Sequence, residues 1–284
     1  MTTHRSGPRR PGCGARTTGR TPAGTAYTLH GTGERPVLLV AGSGGGGRIW
    51  EQHQVPALTA AGHLVVTFDH GPAVTGPHEL AFIVRELLEA LALPGCPLVG
   101  HSLGALAVQE LLLTDPHLAS GALLAATRGR PDVVGEALAR AEAVSAAAGV
   151  RPPPEYEAFV SLTHNLSPRT LADEAATAQW LDLFEIAALT GGSAAHRPAP
   201  PMLDRRADYG RIRLPVLVLG FADDVLAPAF LGREVARAIP GAHYAELPDA
   251  GHLGFLERPG AFNTLLLDFL ATLPPTDPGA PRVA

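Results

Sequence analysis

The sequence carries, far apart along the chain, the side chains of a nucleophile, a base and an acid. Gly100-His101-Ser102-Leu103-Gly104 fits the pattern G-x-S-x-G. The apolar stretch Pro97 to Gly100 runs straight into it, and a helical pattern from Leu103 to Leu113 leaves it. A serine at so sharp a strand-to-helix turn takes strained dihedrals, and the glycines on either side let strand and helix approach closely. Its Oγ then projects above the sheet, where the start of the following helix favours negative charge. Attack on a carbonyl also needs a base to take the serine proton and a carboxylate to orient that base. His252 follows Ala250-Gly251 in a late loop, and Asp223-Asp224 follow the apolar run Pro215 to Gly220. The chain order is Ser, Asp, His. The chemistry that fits is acyl transfer through a serine nucleophile, with no cofactor and no metal.

Other chemistries lack their residues. The glycine run Ala41-Gly42-Ser43-Gly44-Gly45-Gly46-Gly47 invites a phosphate-binding reading, but all 22 basic residues are arginine, so the lysine of G-x-x-x-x-G-K-[ST] is missing. No G-x-G-x-x-G with an acidic ribose partner fits well. His53, His63, His70, His78, His117, His164 and His196 show no metal spacing such as H-E-x-x-H. Cys13 and Cys96 provide neither a disulfide framework nor a metal site. Trp50 and Trp180 read as packing residues, and Glu257 as part of the start of the last helix.

Positioning these groups requires a sheet. Short continuous apolar runs occur at Pro36–Val40, Leu64–Phe68, Pro97–Gly100, Gly121–Ala126, Pro215–Gly220 and His243–Leu247. Such runs suit strands covered on both faces. Helical patterns fall between them, at Glu79–Leu91, Leu103–Leu113 and Ala261–Leu273. The alternation predicts an α/β fold with a doubly wound, mostly parallel sheet. Ala26–His30 is expected to add an antiparallel hairpin at its edge. Residues 129–208 show no convincing strand, only helix-like runs at Pro131–Ala148, Glu155–Leu162 and Ser167–Leu189. They read as a helical cap inserted into a core of residues 25–128 and 209–274, roofing a pocket at the C-terminal edge of the sheet. Residues 1–24 and 275–284 read as loose tails.

The composition limits partners. With 46% apolar and 17% charged residues over 284 positions, the chain can build a sizeable core, and widespread disorder is excluded. A net charge of −5 argues for neither nucleic acid nor a membrane surface. No apolar stretch approaches the roughly 18 residues of a membrane span. Arg9-Arg10 lacks the hydrophobic stretch of an export signal, so a cytoplasmic protein, monomer or homodimer, acting on a small-molecule acyl substrate is expected.

In combination, the glycine run after the first long strand, GHSLG, the stretch from Gly220 to Pro228 and AGHLGFLERP from Ala250 to Pro259 resemble the α/β-hydrolase superfamily over roughly residues 26 to 273. The helical insertion resembles capped small-molecule hydrolases often found in actinomycetes. The resemblance implies Ser102 as nucleophile and His252 as general base. The acid is Asp224, four residues before Pro228, or Asp223, three after Gly220; Asp132 is a more remote choice. It also implies an oxyanion hole from the backbone N–H groups of Leu103 and Ser43, with Gly42, Gly44 and His101 beside the substrate and His101 also helping the packing. An esterase or thioesterase is the leading reading. A lyase, cyclase or cofactor-free perhydrolase on the same scaffold is the alternative, and a binding protein with a vestigial triad is a third class. The chain departs from the family twice. Ala41-Gly42 stands where His-Gly is usual, and Asp69-His70-Gly71 stands where the family often has Asp-x-Arg-Gly. The first departure implies an oxyanion loop held in some other way.

Overall fold

The computed structural model of the chain describes residues 15–71, 74, 76–149, 152–190 and 202–274. In chain order the elements are β1 (Arg16–Arg20), β2 (Ala26–His30), β3 (Arg35–Val40), α1 (Gln54–Ala60), β4 (His63–Asp69), α2 (Pro77–Ala90), β5 (Cys96–His101), α3 (Leu103–Thr114) and β6 (Ala119–Ala125). There follow α4 (Val133–Ala147), α5 (Pro154–Asn165), α6 (Pro168–Leu171), α7 (Glu174–Leu189), β7 (Val216–Phe221), α8 (Ala229–Ala238), β8 (His243–Leu247), α9 (Gly254–Glu257) and α10 (Pro259–Thr272).

The strands form one eight-stranded sheet in the order β1-β2-β4-β3-β5-β6-β7-β8. β2 is antiparallel to both β1 and β4, and every other pair is parallel. The fold is therefore the doubly wound α/β sheet that the alternating pattern predicts. Its apolar runs are continuous because both faces are covered. In β3, Leu38 and Val40 join one core, with Val66, Leu98 and Val108, while Val37 and Leu39 join the other, with Trp50, Leu123 and Phe255. Alternate residues of a strand point to opposite faces, so a strand between two helical layers is apolar at every position.

Two expectations need correction. Residues 15–24 are not a loose tail, because Arg16–Arg20 pairs along its whole length with β2. This strand is Arg-Thr-Thr-Gly-Arg and largely exposed. It lies at the sheet edge, where the backbone is held and the side chains face solvent, so it has no apolar signature. The run Ser167–Leu189 is not one helix. The Asp173 carboxylate accepts the N–H groups of Ala175 and Ala176 and starts α7 afresh after α6. The expected tails at residues 1–14 and 275–284 lie outside the described residues.

All parallel strands end on one edge, which brings together the loops after β3, β5, β6, β7 and β8. The helices α4 to α7 stand between β6 and β7. In α4 and α7 no described side chain is buried, and Val133, Val134, Val144, Leu183, Ile186 and Leu189 are exposed. No helix among the described residues is long and apolar enough to cross a membrane.

Candidate active site

Ser102 sits between β5 and α3 at φ 54° and ψ −119°. An L-residue at positive φ costs about 1–3 kcal/mol, so the surroundings must enforce it. The Ser102 N–H donates to the Ala125 carbonyl at 3.1 Å. A Cβ added at Gly100 would lie 2.6 Å from the Gly104 carbonyl oxygen, and one at Gly104 would collide with the Val40 carbonyl. The two glycines of the motif are thus demanded by backbone contact. Leu103 opens α3, and the first N–H groups of a helix have no partner within it.

His252, in the loop after β8, points Nε2 at the Ser102 Oγ, 2.9 Å away. Its Nδ1 lies 2.9 Å and 3.0 Å from the two carboxylate oxygens of Asp224, in the loop after β7. Both His252 and Asp224 are buried. Asp224 Oδ1 also accepts the N–H groups of Leu226 and Ala227, each at 2.8 Å. Burial alone would raise the Asp224 carboxyl, but the His252 ring and these two backbone donors outweigh it and hold the group below the usual carboxylate range.

The rival acids lie elsewhere. Asp223 donates its N–H to the Ala250 carbonyl at 2.9 Å, and burial together with Asp249 and Glu257 pushes its carboxyl up. Asp132 caps α4 by accepting the Gly135 N–H at 3.0 Å. Gly42 is buried against Ser102: a Cβ there would lie 3.0 Å from the Ser102 Cβ. Ser43 and Gly44 are exposed beside it. Of the two expectations for His101, the structure shows the packing one: the side chain is buried beneath the site. Its ring lies 4.7 Å from Phe255 and 4.9 Å from His252, and its Nε2 donates to the His252 carbonyl at 2.7 Å.

Burial pushes the His101 imidazole down to about 3 from an ordinary 6.5, helped by His252 and opposed by its bond to the His252 carbonyl and by Asp224. The unfolded chain therefore takes up a proton near pH 6.5 that the folded chain refuses until near 3. Stability from this ring is full above that window and falls on acidification through it, by at most about 1.4 kcal/mol per pH unit. Urea denaturation between about pH 7.5 and pH 5 is expected to show the decline, and His101→Gln to flatten its slope. An unchanged slope in the variant would assign the decline to other groups.

Two residues that brace the loops of His252 and Asp224, Glu257 and Arg128, had no recognised signal for that part in the sequence. Glu257 ends α9 and does not start the last helix. Its Oε1 accepts the N–H and hydroxyl of Ser167 at 2.8 and 2.7 Å, and its Oε2 accepts the Gly251 N–H at 2.6 Å. It thus ties the residue before His252 to the start of α6. The Leu253 N–H to Asn165 carbonyl bond, 3.1 Å, reinforces the same contact. Glu257→Ala is expected to lower the unfolding free energy by about 2–3 kcal/mol, because charged hydrogen bonds vanish and backbone donors lose their acceptor. Equilibrium denaturation measures this, and a loss under about 0.5 kcal/mol would show the tie to be dispensable. Half-buried Arg128, just past β6, donates to the Leu226 carbonyl at 3.0 Å and braces the Asp224 loop. A separate cleft of about 460 Å³, lined by Arg16, Arg48, Glu51 and Asp69 among others, opens over the β1–β2–β4 edge and includes none of Ser102, Asp224 and His252.

A hydroxyl bonded to an imidazole, itself bonded to a buried carboxylate, can lose its proton as it attacks a carbonyl. Comparison with known proteins shows the family. Residues 37–265 match the family model described as "Alpha/beta hydrolase family". The chain is 42% identical over 257 residues to "Putative non-heme bromoperoxidase BpoC" of Mycobacterium tuberculosis, covering 87% of this chain and 98% of that protein. The crystal structure of that relative superposes with a TM-score of 0.81, covering 87% of this chain and 96% of the solved one. A more distant relative, "Putative carbamate hydrolase RutD" of Variovorax paradoxus, is 30% identical over 274 residues, covering 90% of this chain and 98% of that protein.

Proposed function

Because the chain belongs to the alpha/beta hydrolase family, we propose that it is a serine hydrolase that cleaves an ester or thioester of a small to medium apolar acyl group. The observation that carries this reading is the Ser102–His252–Asp224 chain of hydrogen bonds, 2.9 Å at each step. In the proposed reaction Ser102 Oγ attacks the acyl carbonyl as His252 Nε2 takes its proton. Asp224 keeps the imidazole oriented and stabilises its charge. The N–H groups of Leu103 and Ser43 hold the oxyanion. The tetrahedral adduct collapses when His252 returns the proton to the leaving alcohol or thiol. Water, deprotonated by the same imidazole, then attacks the acyl-enzyme and releases the acid. The apolar surfaces of α4 and α7 support an apolar substrate, with residues 129–208 acting as a cap over the site.

The relative named as a non-heme bromoperoxidase favours one second reading on the same residues. Hydrogen peroxide in place of water would intercept the acyl-enzyme, giving a peracid and free Ser102. The test uses p-nitrophenyl acetate, butyrate and octanoate together with the matching thioesters, with and without hydrogen peroxide and bromide. Release of acid without peroxide is expected for hydrolysis. Bromination of an added acceptor only when peroxide and an acyl donor are both present would favour perhydrolysis. No turnover under either condition would contradict both readings.

A further inference from the structure

We propose that His70 is a positioning residue that aims the Ser43 N–H, the second donor of the oxyanion hole; the inference rests on the reading of the site as an acyl-transfer centre. The loop after β3 lacks the usual histidine before Gly42, and the structure places a different histidine on it. His70 follows the end of β4 and is buried. Its Nε2 lies 3.1 Å from the Gly42 carbonyl oxygen, while Nδ1 faces the Gly71 carbonyl at 3.0 Å. A carbonyl only accepts and a neutral imidazole carries one N–H, so the ring donates to one of these two carbonyls; in the proposed arrangement Nε2 carries the hydrogen and donates to Gly42. The Gly45 N–H donates to the same Gly42 oxygen at 3.1 Å.

The consequence follows from the peptide plane. The Gly42 carbonyl and the Ser43 N–H belong to one peptide unit, and no cis peptide bond occurs among the described residues. In a trans peptide these two groups point in opposite directions. Two donors on the carbonyl therefore fix the N–H on the other side, away from His70. Gly42 has no side chain to restrain its peptide, and it lies against Ser102. Among the described residues the Ser43 N–H donates to nothing, which leaves it available to an anion. The preceding residue secures the far end of the same loop: Asp69 Oδ1 accepts the Gly47 N–H at 2.8 Å. Asp69 and His70 together span the loop from Gly42 to Gly47.

The experiment compares His70→Gln, whose amide nitrogen reaches about as far as Nε2, with His70→Asn, which falls short, and His70→Phe, which fills the space without a donor. Each is assayed with p-nitrophenyl butyrate, titrated with an alkyl trifluoromethyl ketone, and crystallised. Losing one oxyanion donor costs about 10²–10³ in kcat, so H70F and H70N are expected to lose that much with KM changed by no more than about twofold. The ketone, which forms the oxyanion, should weaken by a similar factor, and H70Q should recover most of both. If H70F does not fold, H70N against H70Q decides; equal activity in that pair overturns the inference. The crystal structures judge it even if the wild type turns over no ester. A Gly42–Ser43 peptide rotated in H70F or H70N but kept in H70Q supports the inference, and a peptide unmoved in all three overturns it.

Discussion

Ser102→Ala is expected to lower kcat/KM for a p-nitrophenyl ester by about 10⁴-fold or more while leaving the fold intact. The hydroxyl is the atom that would form the acyl-enzyme, and no neighbour can replace it. His101 is turned beneath the site and bonded to the His252 carbonyl. The backbone donors survive the change, so a residual rate above the uncatalysed one should remain. The variant should lose no more than about 1 kcal/mol of stability, since alanine at φ 54° bears the same main-chain strain and only one hydrogen bond, to His252, disappears. Steady-state kinetics with a thermal melt checks both parts. A variant with more than about a tenth of wild-type kcat/KM would remove Ser102 from the mechanism.

The second large effect separates two adjacent carboxylates. Asp224→Asn is expected to reduce kcat by about 10³–10⁴-fold, since an amide in place of the carboxylate can bind the wrong imidazole tautomer and cannot balance the imidazolium charge. Asp223→Asn should leave kcat within about twofold, because its side chain does not reach His252. Asp224 also accepts from Leu226 and Ala227, so its amide variant is best compared at equal folded fraction, measured by denaturation. If the two variants lose activity equally, the acid has been misassigned.

The fold was legible because a sheet buried on both faces writes itself as unbroken apolar runs, such as Val37–Val40 and Val216–Phe221. Gly100-His101-Ser102-Leu103-Gly104 was legible because backbone contact demands its glycines. Strand Arg16–Arg20 was not, since an exposed edge strand is held by main-chain bonds that any residue could make. The choice between Asp223 and Asp224 is likewise invisible in composition. Neighbouring residues in a turn diverge, and only the turn geometry decides which one meets His252. The same reason hid Glu257 and His70. Apart from the Ser167 hydroxyl, their partners are the N–H of Gly251 and Ser167 and the carbonyl of Gly42, main-chain groups that carry no mark in the sequence. For His101 the packing role was legible, since the residue before Ser102 ends a buried strand, and its ring lies against Phe255 and His252.

Activation of the Ser102 hydroxyl as a nucleophile is read at the residue itself by fluorophosphonate labelling followed by peptide mass mapping. One covalent adduct per chain is expected on the peptide containing Ser102, abolished in Ser102→Ala and strongly slowed in Asp224→Asn. Absence of labelling in folded wild-type protein, or an adduct on any other residue, would contradict it.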